Sequence, residues 1–181
     1  MGLKSVGMGN RISENNMKTH IAIDPGASGG IAVHSQGKTF CYPMPETQGD
    51  VLETLSEIVK SNEFEGSQES DITCTLEQVG GFAGTGQPGS AMFKFGENYG
   101  FIKGVVQALG IRLELVRPQT WQRGFGLGTK AACASKSEWK NKLKAEAQRR
   151  FPQLKVTLKT ADALLILDWA MRMEGLVGVG K

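Results

Sequence analysis

A buried strand that stops at an acid dictates much of what this chain can become. His20-Ile21-Ala22-Ile23 has the composition of a core strand, and Asp24-Pro25-Gly26 ends it. Proline lacks the amide that a strand ladder needs, and glycine favours a turn. A carboxylate is therefore left at a strand's carboxyl end.

The rest of the chain supplies elements to pack against it. Gly29 to Val33 and Lys38 to Met44 read as two more strands, turned at Gln36-Gly37 into an antiparallel meander. Val51, Leu55, Ile58 and Val59 recur at helical spacing behind Asp50, the expected cap. Ile72 to Leu76 alternates and ends at Glu77, a fourth strand that also finishes on an acid, and Gly80 to Gly89 follows as a glycine-rich loop. Ser90 is placed to cap a long helix with an apolar stripe of Met92, Phe95, Tyr99, Ile102, Val106 and Leu109, ended by Gly110. Gly96, Gly100 and Gly104 line a second stripe of that helix. Each glycine costs about 1 kcal/mol relative to alanine. Their spacing therefore marks a flat face that something approaches closely, either the sheet or a second copy of the helix.

Ile111 to Val116 is the fifth strand. Ser135-Lys136-Ser137-Glu138 is a capping box opening a helix that buries Trp139, Leu143 and Phe151, keeps Lys136, Lys140, Lys142 and Lys144 outside, and stops at Pro152. Ala161 to Met173 is a last helix with Ala161, Leu164, Leu165 and Trp169 inward and Asp162 in its first turn. Trp121 and Trp139 are assigned to packing.

The order β-β-β-α-β-α-β-α-α belongs to an α/β fold, a five-stranded mixed sheet flanked by helices. With the first and fourth strands parallel, Asp24 and Glu77 share the carboxyl edge where open α/β sheets bind ligands. The first turn of the last helix can bring Asp162 to the same edge. Three acids so placed repel one another and raise each other's pKa, so a hard divalent cation, magnesium or manganese, is the natural charge balance.

Charge distribution points to the partner. The formal net charge is only +3, but from Glu46 to Glu77 Lys60 is the single base. From Lys94 to Lys159 bases dominate, opposed only by Glu97, Glu114, Glu138 and Glu146. That half suits a polyanion. The 181 residues fit one core, expected over 19–175, with 1–18 a flexible N-terminal extension and 176–181 a flexible tail. Residues 1–18 have no secretory apolar segment but are basic enough to leave organellar targeting open, and Met17 is a candidate native start. Cys41, Cys74 and Cys133 are scattered without a CxxC pair, which argues for reduced thiols in a cytoplasmic protein, and no apolar run is long enough to span a membrane.

Three motifs in order, Ile23-Asp24-Pro25-Gly26 with Gly29-Gly30, Leu76-Glu77-Gln78-Val79, and Ala161-Asp162-Ala163-Leu164, resemble the acidic motifs of RuvC-type Holliday junction resolvases. Phe93-Lys94-Phe95-Gly96 with Tyr99-Gly100, Val116-Arg117-Pro118 with Trp121, Lys136, and Phe151-Pro152 resemble that family too, especially its phage and chloroplast branches. The resemblance covers about residues 19 to 172. It implies a ribonuclease-H-like nuclease domain, a homodimer paired through the helix from Ser90, and paired nicks across a four-way DNA junction. It further implies two Mg²⁺ per site, with Mn²⁺ able to substitute. Asp24 and Glu77 would hold the ion that activates water, and Asp24 and Asp162 the ion at the departing 3′-oxygen, leaving a 5′-phosphate and a 3′-hydroxyl.

The sequence departs from the family in places. Where many members carry an acid or histidine shortly before the last aspartate, Leu158 and Lys159 stand here. Lys159 becomes a candidate catalytic group, binding the scissile phosphate or protonating the leaving oxygen. Asp168 is a secondary metal candidate, although six residues turn a helix by about 600° and set it on another face from Asp162. Gly80 occupies the place of a junction-wedging aromatic, and Phe82 is the candidate substitute. DNA contacts are expected from Lys94, Lys103, Arg117, Gln119, Arg123, Lys130, Lys136 and Lys140, with the loop from Gly80 near the branch point. Two other classes are on the table. An actin-like ATPase shares the first loop, but the chain lacks a second lobe and an adenosine-binding glycine pair, so no nucleotide cofactor is expected. A non-catalytic junction-binding protein is the other, suggested by Lys159.

Overall fold

The computed structural model describes residues 18–64, 72–80 and 89–175. Residues 1–17 of the extension expected over 1–18, the tail expected at 176–181, and Phe82 lie outside the described residues. Five strands, β1 (Thr19–Asp24), β2 (Gly30–Ser35), β3 (Lys38–Pro43), β4 (Ile72–Glu77) and β5 (Arg112–Val116), form one sheet in the order β3-β2-β1-β4-β5. The first three make the antiparallel meander. Its turn carries positive φ at both Gln36 (51°) and Gly37 (72°), the twist that a two-residue hairpin connection requires. β4 runs parallel to both β1 and β5, with Ile23 opposite Leu76 and Glu77 opposite Val116. Asp24 and Glu77, each the last residue of its strand, therefore share the carboxyl edge.

Period-two alternation divides the core between two faces. Ile21, Ile23, Ile31 and Val33 pack under α1 (Gln48–Phe64) and α2 (Gly89–Ala108). Ala22 and Ala32, directly paired across β1 and β2, belong to the opposite cluster, with α3 (Pro118–Arg123), α4 (Lys136–Arg150) and α5 (Ala161–Met173). Their small side chains let α5 lie close to the sheet. Gly30 completes this approach, because a Cβ there would stand 2.6 Å from the Tyr42 carbonyl oxygen and 2.8 Å from that of Lys159. The backbone entering α5 thus crosses the start of β2 at a distance only glycine permits, which sets Asp162 beside the strand edge. Gly29 is equally confined: a Cβ would lie 2.2 Å from the Asp24 carbonyl oxygen.

Several local expectations change. Asp50 is not the cap of α1; Thr47 is, its Oγ1 accepting from the Asp50 amide (3.1 Å) while Asp50 Oδ2 accepts from the Thr47 amide (3.3 Å). This is a capping box three residues earlier than the apolar spacing indicated. α4 begins as expected, with the Glu138 amide donating to Ser135 Oγ at 3.0 Å. α5 is buried at every position from Ala161 to Asp168, because it is enclosed by the sheet and α4, whereas Trp169 is only partly buried. α2 buries Ile102, Val105 and Val106, and a Cβ on Gly96, Gly100 or Gly104 would meet nothing within 4 Å among the described residues. Packing on the sheet is therefore not what those glycines serve. Among the described residues no helix is long and apolar enough to cross a membrane.

Candidate active site

Asp24 arrives at the carboxyl edge on β1, Glu77 on β4 and Asp162 on the first turn of α5. Each of the three lies within Coulombic reach of the other two. Burial, and next the Asp162 charge, lift Asp24 to about 6, against opposing pulls from Lys140 and the Gly26 amide. Burial, then the Asp24 charge, lift Glu77 to about 7, although Trp121 and Lys140 favour its ionised form. Desolvation and like charge are the two physical causes of such shifts, and both act here.

Side chains hold two of the three carboxylates, while Asp24 Oδ1 accepts from the Gly26 amide at 3.4 Å. Trp121 Nε1 donates to Glu77 Oε2 at 2.8 Å. Trp121 is fully buried, as its assignment to packing required, but this hydrogen bond was not foreseen. Lys140 Nζ donates to Asp162 Oδ2 at 2.5 Å. Burial alone would lower the Lys140 pKa; Asp162, Asp24 and Glu77 outweigh it and hold the ammonium above its ordinary value. Lys140, expected on the solvent side of its helix, thus reaches back into the acid cluster. Asp162 Oδ1 is buried and has no hydrogen-bond partner among the described residues.

The donor set suits a hard cation. It is all oxygen, two of its acids resist ionising in one another's presence, and the buried Asp162 oxygen is an acceptor whose isolation costs free energy. Among the described residues no three His, Cys, Asp or Glu side chains are gathered closely enough to enclose a cation as they stand. The carboxylates are neighbours at one edge, with Lys140 among them, and the ligand shell has to close by side-chain movement.

A cleft of about 530 Å³ opens from Glu77 and Asp162 and is bounded by Gln119, Arg123, Lys130, Lys136 and Lys140. Five of the residues expected to contact DNA are therefore gathered beside the acids. Three are not among the cleft's lining residues: Lys94 is exposed on α2, Lys103 lies over the Tyr99 ring at 5.7 Å from its centroid, and Arg117 is exposed where it precedes α3. Lys159 is exposed, and its backbone rather than its side chain meets the site's framework, at Gly30.

Asp168 is a correction. Its oxygens accept from Arg150 Nη1 at 3.0 and 3.2 Å and from Arg172 Nε at 2.9 Å. These two guanidiniums also lie over the Phe125 ring, at 4.7 and 4.8 Å from its centroid. Asp168 therefore ties α4 to α5 and is already saturated by arginines. Its helix face, opposite in sense to that of Asp162, is the physical reason.

No protein-family model matches the chain, and no curated protein does. Among solved structures, Thermus thermophilus RuvC is similar, at a TM-score of 0.53 and 15% identity over 86% of this chain and 96% of that one. T. thermophilus RuvC in complex with a Holliday junction substrate is similar at a TM-score of 0.50, with 15% identity and the same coverage. Likeness at that identity is likeness of backbone: with its β3-β2-β1-β4-β5 mixed sheet and flanking helices, the chain has the RuvC-like, ribonuclease-H-like fold.

Proposed function

We propose that this chain is a structure-selective endonuclease that resolves four-way DNA junctions with divalent cations, most closely akin to the phage and chloroplast branches of RuvC-type enzymes. The observation that carries the reading is the grouping of Asp24 with Glu77 and Asp162, two acids that line a cleft shared with Arg123, Lys130, Lys136 and Lys140. An acidic pocket within a basic surface is what phosphodiester hydrolysis needs, since the surface gathers the polyanion and the pocket holds the cations. The fold is also that of a protein whose solved complex contains a Holliday junction substrate.

In this reading Asp24 is the shared ligand, with Glu77 for one Mg²⁺ and Asp162 for the other, and Mn²⁺ substitutes. When bound, the two cations supply water activation and stabilise charge on the departing oxygen. The chain's residues do the remaining work. Trp121 fixes the orientation of Glu77, and Arg123, Lys130 and Lys136 receive the phosphates that flank the scissile one. Lys140 gives up Asp162 and turns to the DNA. Water's oxygen would bond to phosphorus as the bond to the 3′-oxygen breaks, the attacking water losing a proton to solvent and the departing oxygen taking one from solvent, which leaves a 5′-phosphate and a 3′-hydroxyl. The open glycine face of α2 supports pairing of two copies, which would supply one site for each of two opposed strands.

A second reading, a junction-binding protein that does not cut, is favoured by the Lys140–Asp162 pair, which already neutralises one prospective ligand. One assay separates the two. Purified full-length protein incubated with a labelled synthetic four-way junction in Mg²⁺ is expected to give paired nicks with ligatable ends, abolished by EDTA and restored by Mn²⁺. Tight junction binding without nicks would establish the non-catalytic reading, and equal cutting of linear duplex would reduce the claim to a general nuclease.

A further inference from the structure

The two carboxylates that flank Asp24 are held in chemically opposite ways. Glu77 is held by a neutral donor, the Trp121 indole N–H. Asp162 is held by a cation, the Lys140 ammonium. Resting on the metal-dependent reading above, we propose that Trp121 and Lys140 are positioning residues that make the two cation positions unequal: Trp121 presents Glu77 ready for a first divalent ion, and Lys140 is a tethered counter-ion that a second must displace from Asp162.

The Trp121 side of the argument is one of rigidity. An indole N–H is only a donor, so it fixes Glu77 Oε2, leaves Oε1 to a ligand, and adds no charge to repel an incoming ion. The ring cannot drift. Trp121 is fully buried, packs edge-on against Phe125 at 6.2 Å, and Phe125 is itself flanked by Arg150 and Arg172. The Gln78 amide also donates to the Val116 carbonyl at 2.7 Å, pinning the chain just beyond Glu77. Groups that orient a ligand in this way govern metal affinity from outside the coordination shell.

The Lys140 side is one of competition. A lysine ammonium is a point charge on a flexible stem, well suited to hold a carboxylate and to leave it. The side chain is 34% exposed and lines the same cleft as Arg123, Lys130 and Lys136, so its way out leads to the phosphate surface. Filling the second position therefore releases a positive charge towards DNA. Binding of the ion and binding of the phosphate must then strengthen each other, because coupling between two sites is reciprocal.

The test is Mn²⁺ uptake by the intact chain without DNA, read by the electron spin resonance of free Mn²⁺ and by calorimetry, neither of which depends on cleavage. The wild type is expected to show a tighter and a weaker class of site, both lost in Asp24→Asn. Trp121→Phe should weaken the tighter class on the order of 10-fold or more and spare the other. Lys140→Gln should tighten the weaker class on the order of 10-fold and spare the tighter one. Both proteins are first checked by thermal melting; if Trp121→Phe does not fold, Lys140→Gln alone decides. Unchanged or weakened uptake at the weaker class in Lys140→Gln, or equal shifts of both classes in either variant, overturns the proposal while leaving the metal-dependent reading intact. A wild type that takes up no Mn²⁺ through Asp24 overturns both.

Discussion

Asp24→Asn is expected to lower junction cleavage on the order of 10³-fold or more while changing junction affinity by no more than about 3-fold. Asp24 is the one acid assigned to both cations, so its loss empties both positions. The basic side chains of the cleft, proposed above to receive phosphates, are untouched, so affinity should persist. The same substitution has a signature in stability that does not depend on DNA. In the wild type without metal, burial and Asp162 raise Asp24 to about 6. The ionised form is thereby disfavoured in the folded chain. The stability associated with protonated Asp24 is fully present below about pH 4, the ordinary carboxylate range, and is lost as pH rises through about 6. Asparagine stays neutral across that window. In EDTA, Asp24→Asn should therefore melt above the wild type at pH 8, and the gap should vanish near pH 4, as differential scanning calorimetry would show. A variant that melts below the wild type at pH 8 would mean that Asp24 does not sit in a strained acidic cluster.

Asp168→Ala should act in the opposite way, on the fold and not on the cations. Asp168 is 7% exposed and joins Arg150 to Arg172, whose side chains are 22% and 10% exposed. Arg150 keeps Glu146 as a partner at 2.6 Å, but Arg172 is left with the Gly124 carbonyl and the Phe125 ring. Removing one member of a buried ion-pair network costs about 3–5 kcal/mol, because a desolvated charge stays behind. For a chain of this size the melting temperature should fall by about 10 °C or more. Mn²⁺ affinity below that temperature should be unchanged. Loss of Mn²⁺ binding with an unaltered melting temperature would restore Asp168 as a ligand.

What could and could not be read from the sequence follows from the range of the interactions involved. The junction of Asp24 with Glu77 was legible because each acid ends an apolar run at a strong stop, and a parallel pairing needs nothing more to set them side by side. The meander, the parallel pairing of the first and fourth strands and the delivery of Asp162 by a late helix followed from element order and agree with the fold observed, whereas the place of β5 beside β4 was not read from the sequence. Trp121 was legible only as a core residue. α3 has six residues, too few to show a periodic face, and nothing local reveals that its indole reaches Glu77 44 positions earlier. Lys140 sits on the polar side by helical spacing; its stem bridges to Asp162 only because α4 lies against α5. Asp168 was rightly set on another face from Asp162, but the arginines that claim it come from α4 and from the next turn of α5. The glycines of α2 marked a close approach without saying to what, and the open space over them excludes the sheet.

Anomalous diffraction from crystals of the intact chain grown with Mn²⁺ speaks most directly to the acid cluster. The account predicts a peak ligated by Asp24 and Glu77, with any second peak between Asp24 and Asp162 and the Lys140 ammonium withdrawn from it. Manganese bound elsewhere on the chain, with Glu77 and Asp162 still answered only by Trp121 and Lys140, would contradict it.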